Sequence, residues 1–454
     1  MYQLRARPAG GCLRAGTGRW TVSGPGAVLP RGCRRAGTVL LQCAEKTGNP
    51  LNCENGPREE YVADNRWNFA VDRLDELEAA GLLRKLKSRS HRASAPGRIT
   101  IDNRELIDLA SNDYLGIRND PRLTCALADA ARRWGAGSGA SRLISGSSEL
   151  HEQAESDLAS FHGTSCTLTF SSGYAAGVGV LPSLASRGDF LYLDRLCHAC
   201  LYDGARLSGA SLRRFQHNDC DHLAGLLAKD RDKPGRRVVI TDTVFSMDGD
   251  RAPLRELSDI CREHGALLVA DEAHAVGVLG PEGRGLAAAE GLDPEEDFLL
   301  LGTLGKAFGV AGAYVACGSK MREYLLNTCR SFIFSTAPPP PLMAAVSAAV
   351  EIVRAAEPER QRLRVYSSRL RVLLNSAGVD TLGSTTQIVP AVVGEASSAV
   401  EVAAELSHDK IFAPAVRPPT VPTGSSRIRF SLSAALGEQD FQRVMESAGK
   451  IFAS

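Results

Sequence analysis

The sequence predicts an α/β fold: a large domain with a mostly parallel sheet sandwiched by helices, plus a smaller α/β domain. Three observations carry this expectation. Short apolar segments alternate with helix-like ones through the middle of the chain, as strands covered on both faces do. A proline run at 338–341 breaks the chain, and mostly helical sequence with long charged stretches follows it. The length of 454 residues suits two or three domains, at roughly 150 residues each.

From the amino terminus, residues 1–44 hold Arg5, Arg7, Arg14, Arg19, Arg31, Arg34 and Arg35 and no acidic residue. No apolar periodicity appears there, so no packed structure is expected. An Arg-rich, acid-poor start can be an organelle transit peptide. Serine is scarce, however, which points instead to an unstructured extension or a start placed too far upstream. A secretory signal would need a compact apolar stretch, and none is present.

Residues 68–86 turn helical, with Phe69, Leu74, Leu77, Leu82 and Leu83 near helical spacing. Pro96-Gly97 then breaks the chain, and 98–109 reads as a hairpin around Asp102-Asn103. Apolar strands are predicted at 167–170, 189–193, 238–243, 266–270, 298–301 and 313–316. Between them 253–263 is a helix: Pro253 suits its first turn, Leu254, Leu257 and Cys261 line one face, and Gly265 ends it. Beyond the prolines, 342–374 is mostly helix, followed by a strand near 387–393, a helix at 398–406 and a strand at 427–432. The chain therefore divides into an extension (1–65), a helix and hairpin that join the small domain (66–115), a large domain (116–349) and a small domain (350–454).

Composition excludes several function classes. Lys+Arg is 53 against Asp+Glu 52, a net charge of +1, without the basic excess of a nucleic-acid-binding domain. The uncharged stretch 163–186 is broken by Pro182 and by scattered Ser, Thr and Gly, and 331–350 contains the proline run, so neither reads as a membrane span. The 12 cysteines follow no framework, which argues for reduced thiols in a cytoplasmic compartment. The one Cys-x-x-Cys, Cys197 to Cys200, has no second pair to complete a zinc site, and no metal is expected.

Four segments carry chemistry. Lys306 sits in Gly302-Thr303-Leu304-Gly305-Lys306-Ala307-Phe308-Gly309, just past an apolar strand. A phosphate-gripping lysine would need the pattern GxxxxGK[ST], which fails at Leu300 and Ala307. The other reading is a nucleophilic amine that forms a Schiff base with a carbonyl. Asp271-Glu272-Ala273-His274 follows another apolar strand. Without a phosphate loop upstream it is no helicase box, and a carboxylate at a strand end ahead of such a lysine suits the pyridine nitrogen of pyridoxal phosphate. Taken alone, the tetrapeptide reads equally well as two solvated acids and a surface histidine. Ser171-Ser172-Gly173-Tyr174 opens a helix, where free N–H groups attract phosphate. His198 follows the strand 189–193; a lone histidine is more often structural than catalytic.

In order and spacing these segments resemble the α-oxoamine synthase family of fold-type I pyridoxal-phosphate enzymes. The likeness extends from Asn68 to the carboxyl end. It includes Ser111-Asn112-Asp113-Tyr114-Leu115-Gly116, Gly137-Ser138-Gly139 through Gly146, Phe245-Ser246-Met247-Asp248-Gly249-Asp250, and the lysine loop. The resemblance makes 116–349 the cofactor domain. It implies Lys306 as the Schiff-base lysine and Asp271 as partner of the pyridine nitrogen. It implies His274 and Ser246 at the ring's phenolic oxygen and His198 stacked on the ring. Backbone N–H groups of Gly173 and Tyr174 and the hydroxyl of Thr303 would hold the phosphate. Arg417 and Thr420 match substrate-side groups, and Arg84 an arginine near the acyl chain. Gly177 stands where asparagine is frequent, and Asp242 where glutamate is frequent.

The string Arg417-Pro418-Pro419-Thr420-Val421-Pro422 looks most like the family member that condenses L-alanine with a pimeloyl thioester in biotin biosynthesis. The implied acyl donor is pimeloyl-CoA or pimeloyl-acyl carrier protein. The alternative is a sister synthase using another amino acid or acyl-CoA, such as a glycine C-acetyltransferase. A homodimer is implied as well.

Overall fold

The computed structural model describes residues 65–79, 82–83, 86, 88–90 and 95–453. The predicted extension falls outside the described residues but for its last position, and so does Arg84. Two compact units divide after Leu86. In the first, a single turn at Asn65–Trp67 leads into α1 (Asn68–Ala79). This helix is shorter than the predicted 68–86. The N–H groups of Leu82 and Leu83 both turn back to the Leu77 carbonyl, at 2.7 and 3.0 Å, as a chain leaving a helix does.

The second unit opens with β1 (Arg89–Ser90), β2 (Arg98–Ile101) and β3 (Arg104–Asp108). Asp102 and Asn103 join β2 to β3 with φ of 49° and 60°, the left-handed pair that a tight hairpin needs and that Asp and Asn tolerate. Then follow α2 (Pro121–Trp134), α3 (Glu149–His162), β4 (Cys166–Phe170), α4 (Gly173–Leu184), β5 (Phe190–Asp194), α5 (Ala199–Ser208), β6 (Ser211–Phe215) and α6 (Cys220–Lys229). Next come β7 (Arg237–Asp242), α7 (Leu254–Glu263), β8 (Leu267–Asp271), α8 (Leu286–Ala289), β9 (Leu299–Thr303) and β10 (Ala313–Cys317).

Seven strands form the central sheet in the order β4-β10-β9-β8-β7-β5-β6. Neighbours from β9 to β6 are parallel, while β10 runs antiparallel to both β9 and β4. Both faces are apolar, and the two-residue period divides each strand between two cores. Tyr192, Val239, Leu268 and Ala270 join one core with Leu158 of α3 and Leu257 of α7. Leu191, Leu193, Val238, Ile240 and Val269 join the other with Val180 of α4 and Leu201 of α5. Each such Val, Leu or Ile side chain contributes about 1.5–3 kcal/mol by leaving water. The sheet fixes the carboxyl ends of β5, β7, β8 and β9 along one edge, where parallel sheets gather their chemistry.

The predicted long helix 342–374 is two, α11 (Pro340–Ala355) and α12 (Glu357–Ser376), preceded by the short α9 (Ser319–Thr328) and α10 (Arg330–Ile333). Pro358 near the start of α12 lacks the N–H that a continuous helix would use. β11 (Ile388–Gly394), α13 (Ala396–His408), β12 (Ile411–Phe412), β13 (Ala415–Val416), β14 (Ser426–Ser431) and α14 (Glu438–Phe452) complete the chain. β14 pairs antiparallel with β11 and β13, and β12 pairs in parallel with β3. Past β3, the Ser431 N–H donates to the Leu109 carbonyl (2.8 Å) and the Ala434 N–H to the Tyr114 carbonyl (2.7 Å). Among the described residues no helix is long and apolar enough to cross a membrane.

Candidate active site

Gly173, Tyr174, His198, Asp271, His274, Thr303 and Lys306, all singled out in the sequence, border one cavity of ≈ 210 Å³ with Cys200, Asp242 and Ala273. They meet because each follows or ends a strand of the central sheet. Asp242 and Asp271 close β7 and β8, Thr303 closes β9, His198 follows β5, and Gly173 opens the helix after β4. Lys306 lies three residues beyond β9 on a loop that packs closely. Gly277 (φ +85°) has Ala307 Cβ 2.4 Å from where its own Cβ would stand, so only glycine admits the lysine loop there.

Lys306 Nζ lies 2.7 Å from His274 Nε2, and His274 Nδ1 lies 2.6 Å from the Tyr114 hydroxyl. The Tyr114 hydroxyl in turn donates to Asn112 Oδ1 at 3.1 Å. The order fixes the protons: the amine donates to Nε2, Nδ1–H donates to the tyrosine oxygen, and the hydroxyl donates to the amide. Burial, with the Lys306 and Arg429 charges, holds the His274 imidazole well below its ordinary range and therefore neutral. Gln387 Nε2 fastens the His274 carbonyl at 2.8 Å. Burial lowers the Lys306 amine to about 8, although the charges of Asp271 and Asp242 oppose it. Burial pushes Asp271 up, while Lys306 and the Ala273 N–H, 2.9 Å from Oδ1, pull it back.

At the start of α4 the Ser172 hydroxyl accepts the Ala175 N–H at 3.1 Å. The N–H groups of Gly173 and Tyr174 precede it and have no acceptor inside the helix. The Thr303 hydroxyl donates to the Gly312 carbonyl at 3.2 Å and accepts from the Gly305 N–H at 3.3 Å. This set fits pyridoxal phosphate by its chemistry: free N–H groups for a phosphate, a carboxylate for a pyridine nitrogen, an amine with lowered basicity, and an imidazole at the rim.

Other predicted residues stand elsewhere. Ser246 lies on the loop after β7, outside the cavity lining, where its carbonyl accepts from Arg429 Nε. Arg417 and Thr420 are exposed on the turn before β14, where the Thr420 N–H donates to the Arg417 carbonyl at 3.0 Å. Neither lines the cavity. Glu272 is not a solvated acid: it is 0% exposed and accepts the N–H groups of Leu286 and Ala287 at 2.9 and 2.8 Å. Burial lifts its carboxyl to about 7.

Sequence reasoning assigned no role to Tyr114, Asn112, Gln387 or Arg429. The first two lay inside the quoted Ser111–Gly116 string, which was the available signal; the others carried none. It also passed over His217. That ring stands between Asp194 (Nδ1, 3.1 Å) and Asp250 (Nε2, 2.8 Å), edge-on to Phe245 with ring centres 4.3 Å apart. Burial alone would lower this imidazole, but its bonds to the two carboxylates and their charges lift it to about 9. His217 thereby pins the loop that carries Ser246, and Arg427 of β14 grips Asp248 on the same loop.

Comparison with known proteins agrees with this geometry. The family model for aminotransferase class I and II matches residues 104–447. The 8-amino-7-oxononanoate synthase of Geobacter sulfurreducens is 46% identical over 381 residues, covering 83% of this chain and 96% of that protein. A solved serine palmitoyltransferase from S. paucimobilis with bound PLP superposes with a TM-score of 0.78 at 27% identity, over 85% of this chain and 97% of that one. The 8-amino-7-oxononanoate synthase of Francisella tularensis superposes with a TM-score of 0.66 at 28% identity, over 76% of this chain and 97% of that one.

Proposed function

The chain belongs to the aminotransferase class I and II family, and from that premise we propose that it condenses L-alanine with a pimeloyl thioester. The products are 8-amino-7-oxononanoate, CO2 and the free thiol, a step of biotin biosynthesis. The observation that carries this reading is the meeting of Lys306, Asp271, His274 and His198 at one cavity.

Pyridoxal phosphate, when bound, supplies a protonated pyridine ring that takes up the electron pair left as the α-proton departs. Asp271 is the anion that keeps a proton on the ring nitrogen. Gly173 and Tyr174 N–H groups are the phosphate's donors, joined by the Thr303 hydroxyl once it turns from the Gly312 carbonyl. Lys306, lowered to about 8, takes the α-proton at Nζ near neutral pH. His274 holds that amine in place through Nε2, and Tyr114 and Asn112 hold His274. His198, on the open side of the cavity, meets the acyl substrate. Arg417, exposed beside Thr420, offers a planar fork to the alanine carboxylate; Arg84 and Thr420 complete the substrate side.

We assign cofactor binding to residues 116–349, the small domain to 350–454 with the hairpin, and the working form to a homodimer. The irregular spacing of the cysteines supports a reducing, cytoplasmic setting. A second reading, a sister synthase using serine or glycine, draws on the superposition with serine palmitoyltransferase.

One assay separates the two. L-alanine with pimeloyl-CoA or pimeloyl-acyl carrier protein should outrun glycine or serine with acetyl, succinyl or palmitoyl thioesters. Faster turnover of glycine or serine with those donors would replace the first reading by the second. The two pimeloyl donors, run in parallel, identify the carrier.

A further inference from the structure

We propose that Cys200 is a positioning residue that holds His198 in its Nε2-protonated tautomer, and that the bare backbone of Gly177 provides the space this thiol occupies. His198 caps α5, and the Cys200 N–H points at its Nδ1 from 3.4 Å. A backbone N–H only donates, so Nδ1 must present its lone pair. Cys200 Sγ lies 3.0 Å from the same Nδ1. With Nδ1 an acceptor, the S–H is the donor. Two donors on one ring nitrogen leave the proton of the neutral imidazole on the other.

The thiol reaches this position because α4 carries no side chain opposite it. A Cβ on Gly177 would stand 2.8 Å from Cys200 Sγ, closer than real Cβ atoms come, and 3.1 Å from its Cβ, a tight contact. The protonation states agree with this arrangement. Burial, with the charges of Asp271 and Asp242, pushes the Cys200 thiol far up, so it stays S–H. Partial burial lowers His198, with Asp271 and Asp203 opposing and Lys306 assisting. Cys197, the other half of the Cys-x-x-Cys, is turned to the Ile240 carbonyl at 3.5 Å. The motif thus places two thiols on separate acceptors.

The consequence is a directional histidine. Its Nε2–H can donate to an oxygen of a substrate in the cavity and cannot take a proton. What that oxygen belongs to rests on the acyl-transfer reading above; the tautomer does not.

The test uses holoenzyme labelled with 15N-histidine, in which ring 15N shifts report the tautomer of His198, together with steady-state kinetics. The parent should show Nε2–H. Cys200→Ala should give a mixture of tautomers and a kcat about two- to tenfold lower, the effect of losing one neutral hydrogen bond. Cys200→Ser should restore both. Gly177→Ala, which displaces the thiol without removing it, should reproduce the Cys200→Ala spectrum. A parent spectrum with Nδ1–H, or Cys200→Ala and Gly177→Ala spectra unchanged from the parent, overturns the proposal. Should the parent turn over no pimeloyl thioester, the reaction assignment fails, and the spectra alone still decide the role of Cys200.

Discussion

Asp242 and Asp271 are register partners at the carboxyl ends of the neighbouring parallel strands β7 and β8, so two carboxyl groups share one wall of the cavity. Burial raises both. Asp271 finds relief in the Lys306 charge and the Ala273 N–H. Asp242 is raised further by the charge of Asp271, against the bond from the His198 N–H at 3.3 Å and the Lys306 charge. Asp271 is therefore the more readily ionised member of the pair.

The pair should answer differently to the same substitution. Asp271→Asn removes the anion, and kcat should fall by at least about 10³, roughly 4 kcal/mol of transition-state stabilisation. Asp242→Asn replaces the less readily ionised acid by a near-isostere and should cost less than about tenfold. Steady-state kinetics on both variants checks this, and equal losses would reject the assignment of the charge.

Lys306→Ala should abolish turnover, since among the described residues no other lysine lines the cavity to take the α-proton. Borohydride treatment of the parent holoenzyme should fix the cofactor on the tryptic peptide that contains Lys306. Label on another lysine would dismiss this residue as the reactive amine.

His217 predicts a pH dependence of stability. Its folded value near 9 exceeds the ordinary value of about 6.5, so the protonated ring favours the native state. The stabilisation is complete below about pH 6.5, declines as pH rises towards 9 and is gone above it, amounting to at most about 3 kcal/mol. His217→Gln should melt lower than the parent at pH 6.5, and the gap should shrink by pH 9.5. A gap that grows with pH would contradict the two-carboxylate cage.

Arg417→Ala should weaken apparent alanine affinity by roughly ten- to a hundredfold, as loss of a charge-assisted pair implies. Lys at this position should recover only part of it, because an ammonium lacks the planar fork. Absorbance of the bound cofactor should stay at the parental value. An unchanged alanine KM in the Ala variant would remove Arg417 from the substrate site.

Lys306, Asp271 and His198 were legible because each follows a short apolar run, and in a parallel sheet that position already faces the chemistry. The hairpin at Asp102-Asn103 was legible from its turn residues alone. Strand direction was not: Ala313–Cys317 reads like its neighbours, and its antiparallel course is set by the connections around it. Glu272 could not be told from a solvated acid, because its partners, Leu286 and Ala287, are supplied by a later turn. Tyr114, Gln387 and Arg429 come from three distant segments, and no local pattern announces that they converge on His274 and its neighbours. Ser246 is tied through its carbonyl to Arg429 of β14, a contact between segments 183 residues apart that no local pattern announces.

The bonds that tie the Ser111–Gly116 segment to the end of β14 bear on how the enzyme is made. Asp113 accepts from the Ser433 hydroxyl across 320 residues of chain, and Tyr114 is fastened to Ala434 beside it. On the ribosome, nearly the whole polypeptide emerges before the backbone of the tyrosine that steadies His274 can meet Ala434. The sheet can form earlier, since its strand pairings are complete by β10. A nascent chain released before Ser431 would therefore contain every residue that lines the cavity and still lack the clasp that sets the reactive amine.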